Sequence, residues 1–272
     1  MICLFCKENS ANSKSVEHII PESLGNKEHI LPIGIVCDKC NQYFATKIEK
    51  PLLEKSYFIN VRNRNFIESK KNKIPLGDAV VFKPSFDKIK IGHDKDSHFV
   101  IFENEETLRD VMSKGSGSFI ITMNDEPKKD DLIVSRFLAK CALEFLVNHI
   151  KDDFWVDEIV NKKELDLLRN YARYGIGKFW KYSQRRIYNE EDRFTDHINH
   201  PEPYEVLHEI ELLYLECQVM YFVIVIFGIE YVINFGDSEL DLYYEWLKKN
   251  DNISPVRRPS EKIIKARSSK NT

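Results

Sequence analysis

Residues 1–6, MICLFC, and residues 36–41, VCDKCN, each contain two cysteines separated by two residues. This spacing lets both thiolates of a tight turn reach one ion, and two such turns complete a tetrahedral Zn²⁺ site. The usual interval between two pairs of this kind is about 15–20 residues, so the longer interval here indicates an additional element between them. The sequence therefore predicts a structural zinc site formed by Cys3, Cys6, Cys37 and Cys40.

Composition excludes several classes of protein. The chain has 272 residues, 43% hydrophobic and 31% charged, with a net charge of −3, so it can bury a sizeable core and does not resemble a disordered chain. Its longest apolar run, residues 219–229, is far shorter than the roughly 20 residues that a membrane-spanning helix needs. The first ten residues lack the pattern of a secretory signal, and six cysteines without such a signal favour a reducing compartment. We therefore expect a cytoplasmic protein with no membrane partner.

The interval between the two cysteine pairs contains SVEHIIPESLG, residues 15–25. The apolar residues at 16, 19 and 20 predict a short strand, residues 21–26 a loop, and residues 33–36 a second strand. A helix is predicted from Asn41 onward, ending or kinking near Pro51, because proline cannot donate a helical hydrogen bond. The predicted order is strand, loop, strand and helix, with the zinc ion at the open end.

The motif EHIIP between two cysteine pairs, with Asn41 directly after the last cysteine, resembles the HNH endonucleases of the ββα-metal fold. The continuation EKP at residues 49–51 is similar to a bacterial subgroup of that family. The resemblance covers residues 1–55, about a fifth of the chain. It implies metal-dependent hydrolysis of DNA phosphodiester bonds.

The resemblance also implies roles for individual residues. His18 corresponds to the general base, and Glu17 and Asn41 to the ligands of one divalent ion, Mg²⁺ or Mn²⁺. Oxygen ligands suit such a hard cation. Glu49, eight residues after Asn41, lies on a similar helical face and is either a site residue or a residue with a helix-ending or salt-bridge role.

Two positions depart from the family pattern. Many members carry an asparagine nine residues before the final ligand, where it steadies the loop with the base, whereas this chain has Pro32. Asn26 or His29 is an alternative candidate for that task. The nuclease colicins have a third metal ligand four residues into the helix, whereas this chain has Ala45, so we expect two protein ligands and water.

The remaining sequence is predicted to form a basic connector at 56–75, a larger mixed α+β domain at 76–254 and a basic flexible tail at 255–272. Strand patterns recur between residues 78 and 123, and residues 131–149 predict a core helix. Residues 162–188 predict a second helix with basic and aromatic side chains, which either track a nucleic acid or pack inward with their charges exposed. Long strands and a closing helix at 237–249 follow.

The sequence thus predicts an α+β protein with an N-terminal zinc-stapled ββα-metal module. We expect a DNA endonuclease, used in defence against phage or mobile DNA. Its larger domain is expected to contact a protein partner or a second copy of the chain. The alternative is a non-catalytic zinc-knuckle module that binds nucleic acid or docks a protein.

Overall fold

A computed structural model describes residues 1–83, 86–94, 97–123, 125–150, 153–196, 199–216, 218–257 and 261–265. It contains 34% helix and 27% strand, which confirms the predicted α+β class. None of the described helices is long and apolar enough to cross a membrane.

The cysteine-bearing segment forms two short antiparallel strands followed by a helix. Strand β1 (Glu17–His18) pairs with β2 (Ile30–Leu31), and a 3₁₀ turn at Glu22–Leu24 lies between them in the chain. Helix α1 (Asp38–Phe44) follows directly on the second cysteine pair. The predicted order of strand, loop, strand and helix is therefore confirmed.

The predicted position of the second strand is wrong. The sequence placed it at residues 33–36, whereas β2 ends at Leu31. Pro32 has no N–H for a ladder, its carbonyl accepts from the Ile35 amide at 3.3 Å, and Gly34 adopts a φ of +94°. Residues 32–35 therefore form a turn that places Cys37 beside the other three cysteines.

The helix that begins at Asp38 continues past the proline with a change in its hydrogen bonding. A π-helical segment, Ala45–Glu49, connects α1 with α2 (Lys50–Leu53). Pro51 lacks an N–H and its ring crowds the carbonyl four residues earlier, which a local widening of the helix relieves. The expected kink therefore takes the form of this π segment.

The chain divides into two compact units. The domain boundaries predicted from the sequence stay a prediction. Unit 1 contains Met1–Ile19, Glu28–Glu49 and Lys128–Thr272, and unit 2 contains Ile20–Lys27 and Lys50–Pro127.

Unit 1 is organised around the predicted core helix, α5 (Leu132–Ile150), which is buried along most of its length. The other described helices of this unit in its C-terminal segment are α6 (Asp153–Asn161), α7 (Asp166–Tyr174) and α8 (Asp241–Lys249). Helix α5 packs against α7 and against the π segment Ala45–Glu49. The core helix therefore lies directly beneath the segment that carries the cysteines.

Two antiparallel sheets complete unit 1. Their strands are β7 (Ser183–Arg186), β8 (Arg193–Asp196), β9 (His200–Tyr204), β10 (His208–Tyr214), β11 (Met220–Ile226), β12 (Ile229–Asn234) and β13 (Glu261–Ile264). One sheet has the order β10-β11-β12-β7 and the other β13-β8-β9. Strand β13 lies in the segment that the sequence analysis placed in the C-terminal tail, and it pairs with β8.

The predicted helix over residues 162–188 is wrong beyond Tyr174. Gly175 adopts a left-handed φ of +68° and caps α7, and the strand β7 follows at Ser183. The aromatic residues Tyr171, Trp180 and Tyr182 are buried, which agrees with the interpretation that they pack inward.

Unit 2 contains a four-stranded antiparallel sheet and two longer helices. Its strands are β3 (Gly77–Lys83), β4 (Asp87–Asp94), β5 (Ser97–Phe102) and β6 (Ser118–Ile121), in the order β5-β4-β3-β6, and they confirm the predicted strand pattern. Helix α4 (Glu105–Lys114) was not predicted from the sequence. Asn104 caps its first turn by accepting from the Glu106 amide at 2.9 Å.

The basic segment 56–75 does not expose all of its charges. Its first part forms helix α3 (Ser56–Arg64), in which Arg62 is buried and Arg64 pairs with Asp125 at 2.8 Å. The exposed cations follow in a turn closed by a hydrogen bond of 2.9 Å from the Ser69 amide to the Lys73 carbonyl. These cations are Lys70, Lys71 and Lys73.

Candidate active site and cysteine cluster

The four cysteines of the two pairs come together as predicted. The sulfur atoms of Cys3, Cys6, Cys37 and Cys40 all lie within 4.8 Å of one another, and none of these residues forms a disulfide. The Sγ atoms of Cys6 and Cys37 are 3.6 Å apart, close to the edge of about 3.8 Å that Zn–S bonds of about 2.3 Å give a tetrahedron. The cluster therefore fits a structural zinc ion.

Hydrogen bonds favour the anionic, metal-binding form of one sulfur atom, that of Cys3. The Cys40 thiol lowers the pKa of Cys3 to about 4, and the Cys37 amide donates to Cys3 Sγ at 3.3 Å. The hydrogen bond with Cys3 in turn raises the pKa of Cys40. The Leu4 amide donates to the Ile35 carbonyl at 2.8 Å, which ties the first cysteine pair to the turn before the second.

Two arginines of α7 hold the cysteine cluster from the side. Arg173 Nε donates to Cys40 Sγ at 3.2 Å, and its guanidinium lies 3.7 Å from the centre of the Tyr43 ring on α1. Arg169, 1% exposed, donates from Nε to the Leu4 carbonyl at 2.6 Å. Four thiolates around Zn²⁺ leave two excess negative charges, which a buried guanidinium partly compensates.

Replacing Arg173 with glutamine is expected to weaken zinc binding by about 10- to 100-fold, the usual effect of removing a partner of a metal ligand. Competition with a chromophoric zinc chelator measures this change. The matched control is Lys163→Gln, which removes an exposed positive charge just before the same helix. Equal zinc affinities for the two variants would contradict the assignment.

The candidate base lies on β1. His18 is half-buried and faces Ile30 across the two-stranded ladder, while the neighbouring Glu17 is 4% exposed and faces Leu31. The Ile19 amide, directly after the base, donates to the His29 carbonyl at 3.0 Å. Backbone pairing with the second strand therefore fixes the position of His18 along β1.

Asn41 lies in the first turn of α1 and reaches the same strand. Its Nδ2 donates to the Val16 carbonyl at 3.0 Å, beside Glu17 in the chain. The opposite amide atom, Oδ1, is an oxygen donor of the type that Mg²⁺ and Mn²⁺ accept. The structure thus brings the amide of Asn41 to the strand that carries Glu17 and His18.

Glu17 has a partner that sequence reasoning missed. Lys140, on α5, is completely buried and places its Nζ 2.7 Å from Glu17 Oε1. The same ammonium lies 3.1 Å from Glu49 Oε1 and 2.9 Å from Glu144 Oε2. It also donates to the carbonyls of His18 and Ile19, at 3.0 and 3.4 Å. Glu49 is therefore a salt-bridge partner in this cluster, one of the two roles that the sequence left open.

Electrostatics keep the lysine charged. Burial alone lowers the pKa of Lys140, but the carboxylates of Glu144, Glu17 and Glu49 raise it well above its ordinary value. Burial raises the pKa of Glu144. The signal in the sequence was a Lys-Glu pair at i and i+4 inside an apolar helix, residues 137–147, where charges are retained only when they are paired.

Glu17 and Asn41 offer the types of oxygen atom that divalent ions bind, but the Glu17 carboxylate is already in contact with Lys140. Glu17 and Asn41 supply oxygen atoms, and a carboxylate has a second oxygen besides the one held by an ammonium. Any ion at Glu17 nevertheless shares the carboxylate with Lys140. Among the described residues, the cysteine cluster is the one group of three or more acidic, histidine or cysteine ligands close enough to hold a metal.

Asn26 steadies the loop that follows the base. It is buried, and its Nδ2 donates to the Ile20 carbonyl at 2.7 Å, which closes the loop over residues 20–26. This contact agrees with the expectation that an asparagine elsewhere in the loop replaces the one absent at Pro32. The burial of His29 lowers its pKa.

Comparison with known proteins agrees with this geometry. The family model for HNH endonucleases matches residues 3–56, which contain both cysteine pairs, β1, β2 and α1. Residues 3–56 form an HNH region. The match covers about a fifth of the chain and supports a nuclease-type function with a nucleic acid as substrate. No curated protein and no solved structure matches the chain.

The HNH region confirms the resemblance that the motifs indicated. It is followed in the chain by a larger, β-rich part. The predicted C-terminal tail falls partly outside the described residues, since 258–260 and 266–272 are not described. Cys141, which lies outside the zinc site, is buried.

Proposed function

We propose that this protein is a metal-dependent HNH endonuclease that hydrolyses DNA phosphodiester bonds. The observation that supports this most directly is the position of Glu17 and His18 on β1 with Asn41 bonded to the residue before them. These residues lie within the match to the HNH endonuclease family.

In the proposed reaction His18 is the general base that takes a proton from the attacking water. Histidine is the side chain that most often serves as a general base, because imidazole can accept a proton near neutral pH. Glu17 and Asn41 would hold the divalent ion, Mg²⁺ or Mn²⁺. When bound, such an ion supplies electrostatic stabilisation of the charge that develops on the phosphate and the leaving 3′ oxygen.

The test is plasmid cleavage by purified protein with Mg²⁺, Mn²⁺ or EDTA. We expect nicking or linearisation with either metal and none with EDTA. Because EDTA also removes accessible zinc, the EDTA sample is re-supplied with Mg²⁺ in excess, and cleavage must return. A folded, zinc-loaded protein that cuts neither plasmid nor single-stranded DNA under any of these conditions contradicts the proposal.

The second candidate is a zinc-knuckle module that binds nucleic acid or protein without turnover. The contact of Glu17 with Lys140 favours it, because this carboxylate already has a positively charged partner. The two candidates differ in their metal dependence: binding of DNA without cleavage, at equal affinity with Mg²⁺ and without it, supports the second.

The lysines of the exposed turn in unit 2 are expected to contact phosphates. Changing Lys70, Lys71 and Lys73 together to glutamine removes three exposed charges. For duplex DNA, the slope of log affinity against log salt should then fall by about 0.9 for each lysine that contacts a phosphate. Fluorescence anisotropy between 50 and 200 mM salt measures this slope.

The matched control for this turn changes Lys163, Lys248 and Lys249, which are also exposed, to glutamine. It removes the same net charge from other surfaces. If both triple variants lose the same part of the salt slope, the turn makes no specific contribution.

A defensive role against phage or mobile DNA is part of the proposal. Its test is plating efficiency of phage on bacteria that express the wild-type chain or His18→Ala. Protection by the wild type alone supports this role, and equal plating on both strains contradicts it.

A further inference from the structure

Lys140 has more oxygen atoms around its Nζ than an ammonium group can donate hydrogen bonds to. Five oxygens lie within 3.4 Å of Nζ, three from carboxylates and two from backbone carbonyls. An ammonium donates only three hydrogen bonds. Carboxylates together with carbonyls are the ligands that hard metal cations take in proteins. Lys140 therefore lies in an environment of the kind that proteins build for a cation.

The charges of this cluster also indicate a place that is suited to a cation. Lys140 and Glu144 are completely buried, and Glu17 is nearly so. Buried charges in proteins are retained when they are paired, and the removal of one partner leaves the others uncompensated. Without Lys140, the carboxylates around it would lose the positive charge that they share, and a divalent ion would be attracted to the same place.

The contacts of Lys140 also reach the candidate active site directly. The ammonium holds one oxygen of Glu17 and the carbonyl of His18, so it fixes the orientation of both residues on β1. Lys140 therefore acts on two proposed site residues. It contacts the side chain of Glu17, a proposed ligand of the ion, and the backbone of His18, the proposed base.

We propose that the buried ammonium group of Lys140 positions Glu17 in the HNH region and competes with the divalent ion for the Glu17 carboxylate. This inference rests on the proposed function. In the substrate-free protein the ammonium occupies Glu17, so the site binds divalent ions weakly. The phosphate of a bound nucleic acid adds oxygen ligands and favours entry of the ion, because Mg²⁺ sites commonly combine one or two carboxylates with substrate phosphates.

The test measures binding of Mn²⁺ to the zinc-loaded full chain by electron paramagnetic resonance, without nucleic acid. We expect Lys140→Met to bind Mn²⁺ at least about 10-fold more tightly than the wild type. Because removal of a buried charge can unfold the chain, a second variant, Lys140→Met with Glu144→Leu, removes one acidic partner with the lysine. It should show the same gain in affinity while retaining zinc and the wild-type circular dichroism spectrum.

Two controls separate competition from a general loosening of the fold. Adding Glu17→Gln to the double variant should abolish the gain, since this carboxylate is the proposed ligand. Arg185→Met breaks another ion pair, a partly buried one in which Arg185 Nε lies 2.6 Å from Glu230 Oε1, and it should leave Mn²⁺ affinity unchanged. A folded, zinc-loaded double variant with unchanged or weaker Mn²⁺ affinity overturns the inference.

Plasmid cleavage by the wild type distinguishes this result from failure of the proposed function. If the wild type does not cut but the Lys140 variants gain Mn²⁺ affinity through Glu17, competition is established and nuclease activity is contradicted. If the wild type cuts with Mg²⁺ and the folded Lys140 variants show no gain, the nuclease stands and the role of Lys140 is wrong.

Discussion

Replacing His18 with alanine is expected to reduce the rate of plasmid cleavage by about 10²- to 10⁴-fold, the usual contribution of a general base. The change removes the imidazole but keeps the backbone carbonyl that accepts from Lys140 at 3.0 Å and the pairing of β1 with β2. We therefore expect the loss to lie in the catalytic rate and not in folding or zinc content. Single-turnover cleavage at saturating Mg²⁺ measures the chemical step.

The matched control is His149→Ala. His149 is an exposed histidine near the end of α5, and its replacement should leave cleavage within twofold of the wild type. DNA affinity measured without metal should be the same for all three proteins. If His18→Ala cleaves as fast as His149→Ala, the base lies elsewhere in the chain.

Replacing Cys37 and Cys40 together with serine is expected to remove the zinc ion and unfold the HNH region. Structural zinc sites in small peptides contribute about 10–16 kcal/mol of apparent binding free energy near neutral pH, and that energy is folding energy. The two strands of this region contain only two residues each, so little else in the β1–β2 pair resists opening. We expect nuclease activity to be lost entirely.

Zinc content by mass spectrometry and protection of backbone amides in residues 1–44 by hydrogen exchange measure both effects. Cys141→Ala is the control, because this cysteine is buried and donates to the Ile19 carbonyl at 3.0 Å but lies outside the zinc cluster. It should retain one zinc per chain. Full zinc occupancy in the Cys37/Cys40 variant would refute the structural site.

Short-range patterns in the sequence were sufficient to predict much of the HNH region. The spacing of the cysteine pairs predicted the zinc site, and the apolar residues at 16, 19 and 20, the loop after them and the helix before Pro51 predicted the strand-loop-strand-helix order. The error at the second strand arose because residues 33–36 are apolar, whereas Pro32 and Gly34 impose a turn there. In this segment backbone constraints outweighed the apolar pattern.

Contacts between distant parts of the chain were not predictable in this way. The apolar surroundings of Lys140 indicate that its charge is paired, but nothing near Lys140, Arg169 or Arg173 in the sequence indicates that they reach the HNH region. Their side chains are buried because their partners come from the first 50 residues. Such pairings depend on how α5 and α7 pack, which a single sequence does not specify.

These contacts form only after most of the chain has been synthesised, because their partners are far apart in the sequence. Arg169 follows its partner Leu4 by 165 residues, Arg173 follows Cys40 by 133, and Lys140 follows His18 by 122. At a synthesis rate of about 5–20 residues per second, a ribosome needs roughly 7–27 s to extend the chain from Cys40 to Arg173. Until Lys140 is made, the nascent HNH region has neither this lysine nor the two arginines, and until Arg173 is made it lacks the guanidinium beside Cys40. A product that ends before residue 140 therefore contains both cysteine pairs, β1, β2 and α1 but none of these three contacts.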